Sequence, residues 1–286
     1  MFKCLAIQLG AFSFLAALAG CAAAPSQLTV PTLARPDAPN VGGRAGTKIV
    51  LVGTGWKAPW DVAVDSKGSV YVGDISLNAV KKVSPPFRGG THGKIRDLGQ
   101  FGKPESLAVD SKGNVYVFEA YGHDEILQVT PSGVKNLVAN YLDTDEGGLA
   151  ADSHENVYFA SGALYELRHK AAGGWDAPRQ IGPKFSYAYD VALDPAGNLY
   201  VAEGRAVEEL TPSGKVVMVG SGFKAPSGVA VDRTCKSSCA VYVADNERSW
   251  IWKVSPPFDG STHGKITKIG YGFSGPISVA ALGTDV

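Results

Sequence analysis

The sequence predicts an all-β chain folded as a β-propeller, in a six-bladed pattern whose last blade is incomplete and whose ring is closed by an N-terminal strand. A short recurring unit carries that expectation. It is plainest as Asp61-Val-Ala-Val-Asp65-Ser-Lys-Gly-Ser-Val-Tyr-Val-Gly-Asp74. It returns as Ser106-Leu-Ala-Val-Asp110 with Asn114-Val-Tyr-Val117, as Gly148-Leu-Ala-Ala-Asp152 with Asn156-Val-Tyr-Phe159, as Asp190-Val-Ala-Leu-Asp194 with Asn198-Leu-Tyr-Val201, and as Gly228-Val-Ala-Val-Asp232 with Ala240-Val-Tyr-Val243. A half-length copy reads Ser278-Val-Ala-Ala-Leu282. The aspartates that end the first halves recur at roughly the 40 to 45 residues of one blade.

Each unit reads as two strands of a small antiparallel sheet. Ala63 alternates with Val62 and Val64, and Tyr71 with Val70 and Val72, at the period of two that a strand requires. Pairing Asp65 with Ser69 across Ser66-Lys67-Gly68 gives a three-residue hairpin with its glycine in the left-handed position. That register sets Ala63 opposite Tyr71, Ala108 opposite Tyr116, Ala150 opposite Tyr158 and Ala192 opposite Tyr200. Alanine holds the middle of all the first strands, at 63, 108, 150, 192, 230 and 280. Strands meet most closely at the axis of a propeller, so a small residue belongs there, while the tyrosine fills the wedge outside it.

The succession Gly-Phe-x-x-Pro, Gly-Val-Ala-Val-Asp and Gly-Asn-Val-Tyr-Val resembles the NHL repeat from about Lys48 onward. The resemblance implies a β-propeller, typically of six blades, with secreted and sensor members. It implies nothing about activity. In that family Lys48 to Val52 would be the outer strand of the last blade, in the place that Lys94 to Leu98, Val134 to Val138, Lys215 to Val219 and Lys265 to Ile269 hold for the others. The middle strands of a sixth blade have no evident sequence, so the expectation is an incomplete blade. Tether residues such as Gln27 to Leu33 are the alternative source of strands.

Thirty-five glycines and seventeen prolines suit a turn-rich β design, and 45% hydrophobic residues suffice for a large core. Twenty-seven basic and twenty-seven acidic residues cancel, which leaves no electrostatic footprint for nucleic acid. Residues 1–20 carry Lys3 and then an apolar run shorter than a spanning helix needs, as a secretory signal does. It ends in Leu18-Ala-Gly-Cys21, which resembles a bacterial lipobox; an ordinary cleavage site beside a chance cysteine is the alternative. The resemblance implies acylation of Cys21 and a membrane anchor, at about 0.8 kcal/mol per buried methylene. Ala22 after the cysteine resembles the pattern sorted to the outer membrane, where the host has one. Residues 21–47, rich in Ala, Pro, Ser, Thr and Gly, read as a tether, and 48–286 as the propeller.

Cys235 and Cys239 lie in an enlarged turn, Arg233-Thr-Cys-Lys-Ser-Ser-Cys239, and in an exported chain they read as a disulfide worth roughly 2 kcal/mol. Zinc is the weaker reading, since two further ligands are missing nearby. Ser84 to Ile95 and Ser255 to Ile266 are near duplicates that carry His92 and His263, and they read as repeated structural loops rather than a metal site.

Positions filled alike in every blade serve the fold, so function belongs to the positions that differ. First strands begin with Trp60-Asp61, Glu105-Ser106, Gly147-Gly148, Tyr189-Asp190, Ser227-Gly228 and Ile277-Ser278. Second strands end in Asp74, Glu119, Ser161, Glu203 and Asp245, and these ends share one face with those starts. Longer loops add Tyr121, His123, Asp124, Asp143, Asp145, Glu146, Tyr187, Asn246 and Arg248. This acidic and aromatic rim suits a cation, a sugar or a basic peptide. The acids at the strand ends also read as acceptors for turn amides. The expected function is therefore a lipid-anchored, monomeric envelope protein that binds a protein, peptide or glycan through Trp60, Asp61, Glu105, Tyr189, Asp190 and Glu203, with no cofactor. The alternative is a lactonase or lyase of the gluconolactonase or streptogramin lyase type, using Ca or Zn held by carboxylates such as Asp61, Glu105, Asp190 and Glu203.

Overall fold

The structure is a computed structural model. It describes residues 52–87, 92–120, 124–140, 142, 147–185, 187–235, 239–258, 263–271, 273 and 275–282, and before Val52 only the backbone pairing of Ile7–Gln8 with Leu15–Ala16. Cys21, residues 22–51 and the loop residues Tyr121, His123, Asp143, Asp145 and Glu146 lie outside the described residues.

Five four-stranded antiparallel sheets follow one another along the chain. Blade 1 is Pro59–Val64, Val70–Asp74, Ala79–Ser84 and Lys94–Gln100; blade 2 is Pro104–Val109, Val115–Glu119, Glu125–Val129 and Lys135–Ala139. Blade 3 is Gly148–Ala151, Val157–Ser161, Ala163–Leu167 and the short Arg179–Gln180. Blade 4 is Ala188–Leu193, Leu199–Glu203, Ala206–Leu210 and Val216–Ser221; blade 5 is Pro226–Val231, Val241–Asp245, Trp250–Ser255 and Lys265–Tyr271. The inner strands line a single channel together with Ser278, Val279, Ala280 and Ala281. All six hub alanines border that channel. The chain is a β-propeller.

The expected register holds: Ala63 faces Tyr71, Ala108 faces Tyr116, Ala150 faces Tyr158, Ala192 faces Tyr200, and Ala230 faces Tyr242. The anchor aspartates fix it from the turn side. Asp65 Oδ1 accepts the N–H of Lys67 and Ser69, while its Oδ2 accepts the Tyr71 hydroxyl at 3.1 Å. Asp110 with Tyr116 and Asp194 with Tyr200 repeat this arrangement. Gly68, Gly113 and Gly197 take φ of 76°, 85° and 87° in these turns, which is why a glycine recurs there.

The packing between blades has an apolar core. Tyr200, Ala202, Val207 and Val219 of blade 4 pack on Val229, Val231, Val241, Val243 and Val254 of blade 5. A fully buried valine of this kind contributes about 1.5 to 3 kcal/mol. Trp56, Phe101, Phe185, Phe223 and Phe273, each just ahead of an inner strand, are all buried.

The blade count differs from the expectation. The structure has five blades, and the sixth copy of the motif contributes only a hub segment, 276–282, with no four-stranded sheet of its own among the described residues. The reason is physical: the inner-strand motif at Ala280 is matched by no second-strand motif among the described residues, so nothing pairs its outer edge. The gap between blades 5 and 1 is bridged at two radii. At the hub, Gly228 of blade 5 lies against the backbone of Ile277 and Ser278, and Val62 of blade 1 donates its N–H to Ser278 Oγ at 3.4 Å. Further out, Val52 packs on Trp56, Val70, Val72 and Val83 as Val219 packs on Phe223, Val241, Val243 and Val254. The duplicated loops support both places, with Gly53 N–H donating to His92 O and Gly264 N–H to Val219 O. Val52 thus stands where the outer strand of a preceding blade would stand; residues 48–51 of the expected closing strand are outside the described residues.

Ala150 is 6% exposed and packed between blades 3 and 4. Ala150→Leu should lower the unfolding free energy by about 1 to 3 kcal/mol in urea titration, whereas Val134→Leu on the surface should shift it by less than about 0.5 kcal/mol.

Candidate functional site

The inner strands start at one face, the mouth, and a girdle of hydrogen bonds links four pairs of neighbouring units around the channel there. Leu107 N–H of blade 2 donates to Asp61 Oδ2 of blade 1 at 2.5 Å, and Leu149 N–H of blade 3 donates to Ser106 Oγ of blade 2 at 3.0 Å. Val229 N–H of blade 5 donates to Asp190 Oδ2 of blade 4 at 2.8 Å, while Asp190 Oδ1 takes the N–H of Val191. A Cβ on Gly148 would overlap the Asp190 carboxylate, so glycine is required at that place in the ring. Asp61, Ser106, Asp190 and Ser278 therefore share one job: each captures an inner-strand amide of the next unit, because side-by-side inner strands have no ladder to satisfy it.

Both aspartates border the channel and are half-buried. Burial raises the Asp61 carboxyl above its ordinary value, against the opposing pull of hydrogen bonds from Ser278, Leu107, Val62 and Ser106. Burial, and then the charge of Asp61, lifts Asp190 well above its ordinary value, opposed by the amides of Val229 and Val191. The other end of the channel is crossed by Arg233, whose guanidinium donates to Val109 O of blade 2 at 2.7 Å and reaches Ala151 O of blade 3 at 3.5 Å. It follows directly on Asp232, in the turn held by the Cys235–Cys239 disulfide. The channel holds about 90 Å³, well below the roughly 300 Å³ at which small-molecule pockets begin. The bore is therefore too small for a ligand of that size.

A second feature shapes the mouth. The register of the first two strands slips between Pro59 and Asp61, Pro104 and Ser106, Ala188 and Asp190, and Pro226 and Gly228. Trp60, Glu105, Tyr189 and Ser227 are the extra residues of four equivalent β-bulges, and bulges re-aim side chains. Ser227 turns inward to Pro276 O. Tyr189 turns outward: it is 46% exposed and stacks on Tyr187, 64% exposed, with ring centroids 6.4 Å apart and planes at 17°. Trp60 and Glu105 are half-buried.

The acids at the second-strand ends divide. Asp74 accepts the N–H of Lys57, Ala58, Ser76 and Leu77; Asp245 accepts those of Lys224 and Ala225; Glu119 accepts that of Gly102. These three tie down the loop ahead of each inner strand. Glu203 occupies the same place in blade 4, opposite Ala188 and next to Gly204, which donates to Tyr187 O, yet its Oε2 is buried without a hydrogen-bond partner. Its charge, after burial, raises Glu208 on the neighbouring strand.

Of the residues picked from sequence, Asp61 and Asp190 come together at the ring, Tyr189 and Glu203 flank Tyr187, and Trp60 and Glu105 hold the matching bulges of blades 1 and 2. Ser106, Ser278 and Arg233 were missed. Aligning the copies on their hub alanines exposes the two serines, and Arg233 was visible as the basic residue where other turns carry Ser66, Ser111, Ser153 or Pro195. Among the described residues no three His, Cys, Asp or Glu side chains gather as a metal site. The carboxylate set offered for Ca or Zn does not fit, because the oxygens of Asp61 and Asp190 are directed at amide and hydroxyl donors.

No protein-family model matches this chain, and no curated protein matches it by sequence. Solved structures do match its fold. Aldose sugar dehydrogenase from Streptomyces coelicolor, in a PQQ-bound form, aligns at a TM-score of 0.63 with 15% identity over 86% of this chain and 90% of that one. Virginiamycin B lyase from Staphylococcus aureus aligns at 0.53 with 18% identity over 78% and 73%. An auxiliary nutrient binding protein from Bacteroides ovatus aligns at 0.56 with 14% identity over 72% and 61%. At these identities the likeness is one of fold, and propellers carry unrelated activities on one scaffold.

The folded-state pKa of Asp190 lies above its ordinary value of 3.8. The stability it contributes while protonated is full below about pH 4 and is lost as pH rises through the folded value. Asp190→Asn cannot ionise, so its stability relative to wild type should climb with pH in urea melts run from about pH 4 to 8. Parallel curves would show that Asp190 ionises without penalty.

Proposed function

We propose that this chain is a cell-envelope propeller, lipid-anchored through Cys21, that binds a protein, peptide or glycan at its mouth rather than catalysing a reaction there. The observation that carries this reading is the solvent-facing stack of Tyr187 and Tyr189 at a β-bulge. Exposed, ordered aromatic faces next to carboxylates attract cationic side chains. Glu203 adds a buried oxygen still lacking a donor. A peptide segment bearing lysine or arginine suits this chemistry best among the three ligand classes.

The competing reading, a metal-dependent lactonase or lyase, draws support from the names of fold neighbours such as virginiamycin B lyase. Two of its four proposed carboxylates, Asp61 and Asp190, serve the ring instead, and that disagreement favours binding. The NHL resemblance is part of the same proposal and rests on the repeat motif.

Replacing Tyr187 and Tyr189 together by alanine should abolish capture of lysine- and arginine-containing peptides on an array while leaving the urea midpoint unchanged, since both rings are exposed. Unchanged capture by the double variant would remove the mouth as the site. For the anchor, Cys21→Ala should move the protein from the membrane fraction to the soluble one; retention in the membrane would refute lipidation.

A further inference from the structure

The junction of blades 2 and 3, on the face opposite the mouth, departs furthest from the repeat. Blade 3 has only Arg179–Gln180 as an outer strand, and the preceding chain folds into a small loop closed by a bridge between His169 and Trp175. The Trp175 indole N–H donates to Glu155 O at 2.8 Å, and its ring meets Tyr116 of blade 2 edge-on at 6.5 Å and His169 at 4.9 Å. Glu155 itself stands where the other turns have glycine, and takes a φ of 68°. Its carboxylate receives Lys112 Nζ at 2.5 Å and Gln128 Nε2 at 3.0 Å, both from blade 2. Gln128 Oε1 in turn receives Asn136 Nδ2 at 2.9 Å.

These groups border a groove of about 810 Å³, within the range of roughly 300 to 1,000 Å³ typical of ligand sites. It is far larger than the channel. Its chemistry is amide-rich: the Lys112 charge is balanced by Glu155, and Lys135 on the rim turns its Nζ to Gln100 O and the Phe101 ring. Polar capacity remains open. Asn156 in blade 3 gives its side-chain oxygen to the N–H of His169, whereas the equivalent Asn114 spends its amide nitrogen on Asp110 and its oxygen accepts nothing from the described residues. Asn136 is exposed and, among the described residues, donates to Gln128 alone. Planar amides beside an indole suit vicinal hydroxyls and the apolar face of a sugar ring.

We propose that this groove binds a short, neutral glycan, with Asn114, Asn136 and Lys112 meeting hydroxyls and Trp175 meeting a ring face. The site is separate from the mouth, and binding at one neither requires nor excludes binding at the other.

The test is titration of the full-length protein with maltotriose, cellotriose and chitotriose, followed by tryptophan emission and by calorimetry. At least one trisaccharide should bind saturably. Asn136→Ala, a change at an exposed position, should weaken it roughly tenfold, as loss of one or two hydrogen bonds does. Trp175→Phe should remove the emission change, and the Tyr187→Ala, Tyr189→Ala double variant should bind as wild type does. The proposal is overturned if none of the three sugars binds, if Asn136→Ala leaves the affinity unchanged, or if the tyrosine double variant loses the sugar.

Discussion

The structure depends on amide capture between units at the hub. A four-stranded blade satisfies its own backbone from strand to strand, but its innermost edge faces the axis with donors that no ladder reaches. Asp61, Ser106, Asp190 and Ser278 supply acceptors across the blade boundaries, and glycine stands where the acceptor of the next unit needs room. Apolar packing between blades is abundant yet non-directional. The girdle adds direction, fixing how far each blade is rotated from the last.

This arrangement also explains why two half-buried carboxylates are tolerated near one another. A serine captures one amide without charge; an aspartate captures more than one, and Asp190 takes two. The cost is electrostatic: burial and mutual repulsion push the Asp190 proton to stay on. The propeller thus places groups with catalytic-looking properties at its mouth for reasons of assembly. Perturbed acidity at these two positions is accounted for by assembly and does not by itself mark an active centre.

Much of the fold was legible because it repeats. Alanine opposite tyrosine, the three-residue turn with its glycine, and the aromatic residue ahead of each inner strand are local patterns, each confirmed several times within one chain. What was not legible depends on partners in another unit. The role of Asp61 is set by an amide 46 residues on, and that of Ser278 by one 216 residues away. The expected blade count exceeds the five observed because the hub motif at Ala280 reads as part of a sixth, incomplete blade, whereas it contributes only a hub segment. Trp60, Glu105 and Tyr189 stand out as variable positions, but the bulge that holds them is a slip in pairing, and pairing slips leave no mark in an alternation of apolar residues. Glu155 stands in the sequence where other turns carry glycine, but the network it serves depends on side chains of blade 2.

The bulges have an evolutionary consequence. A residue that lies outside the count of paired positions can be exchanged without shifting the register of the strands on either side. Tryptophan, glutamate, tyrosine and serine already share that slot within this one molecule. A new recognition preference can therefore arise by editing single letters at the slot, while the wheel that presents them is inherited unchanged.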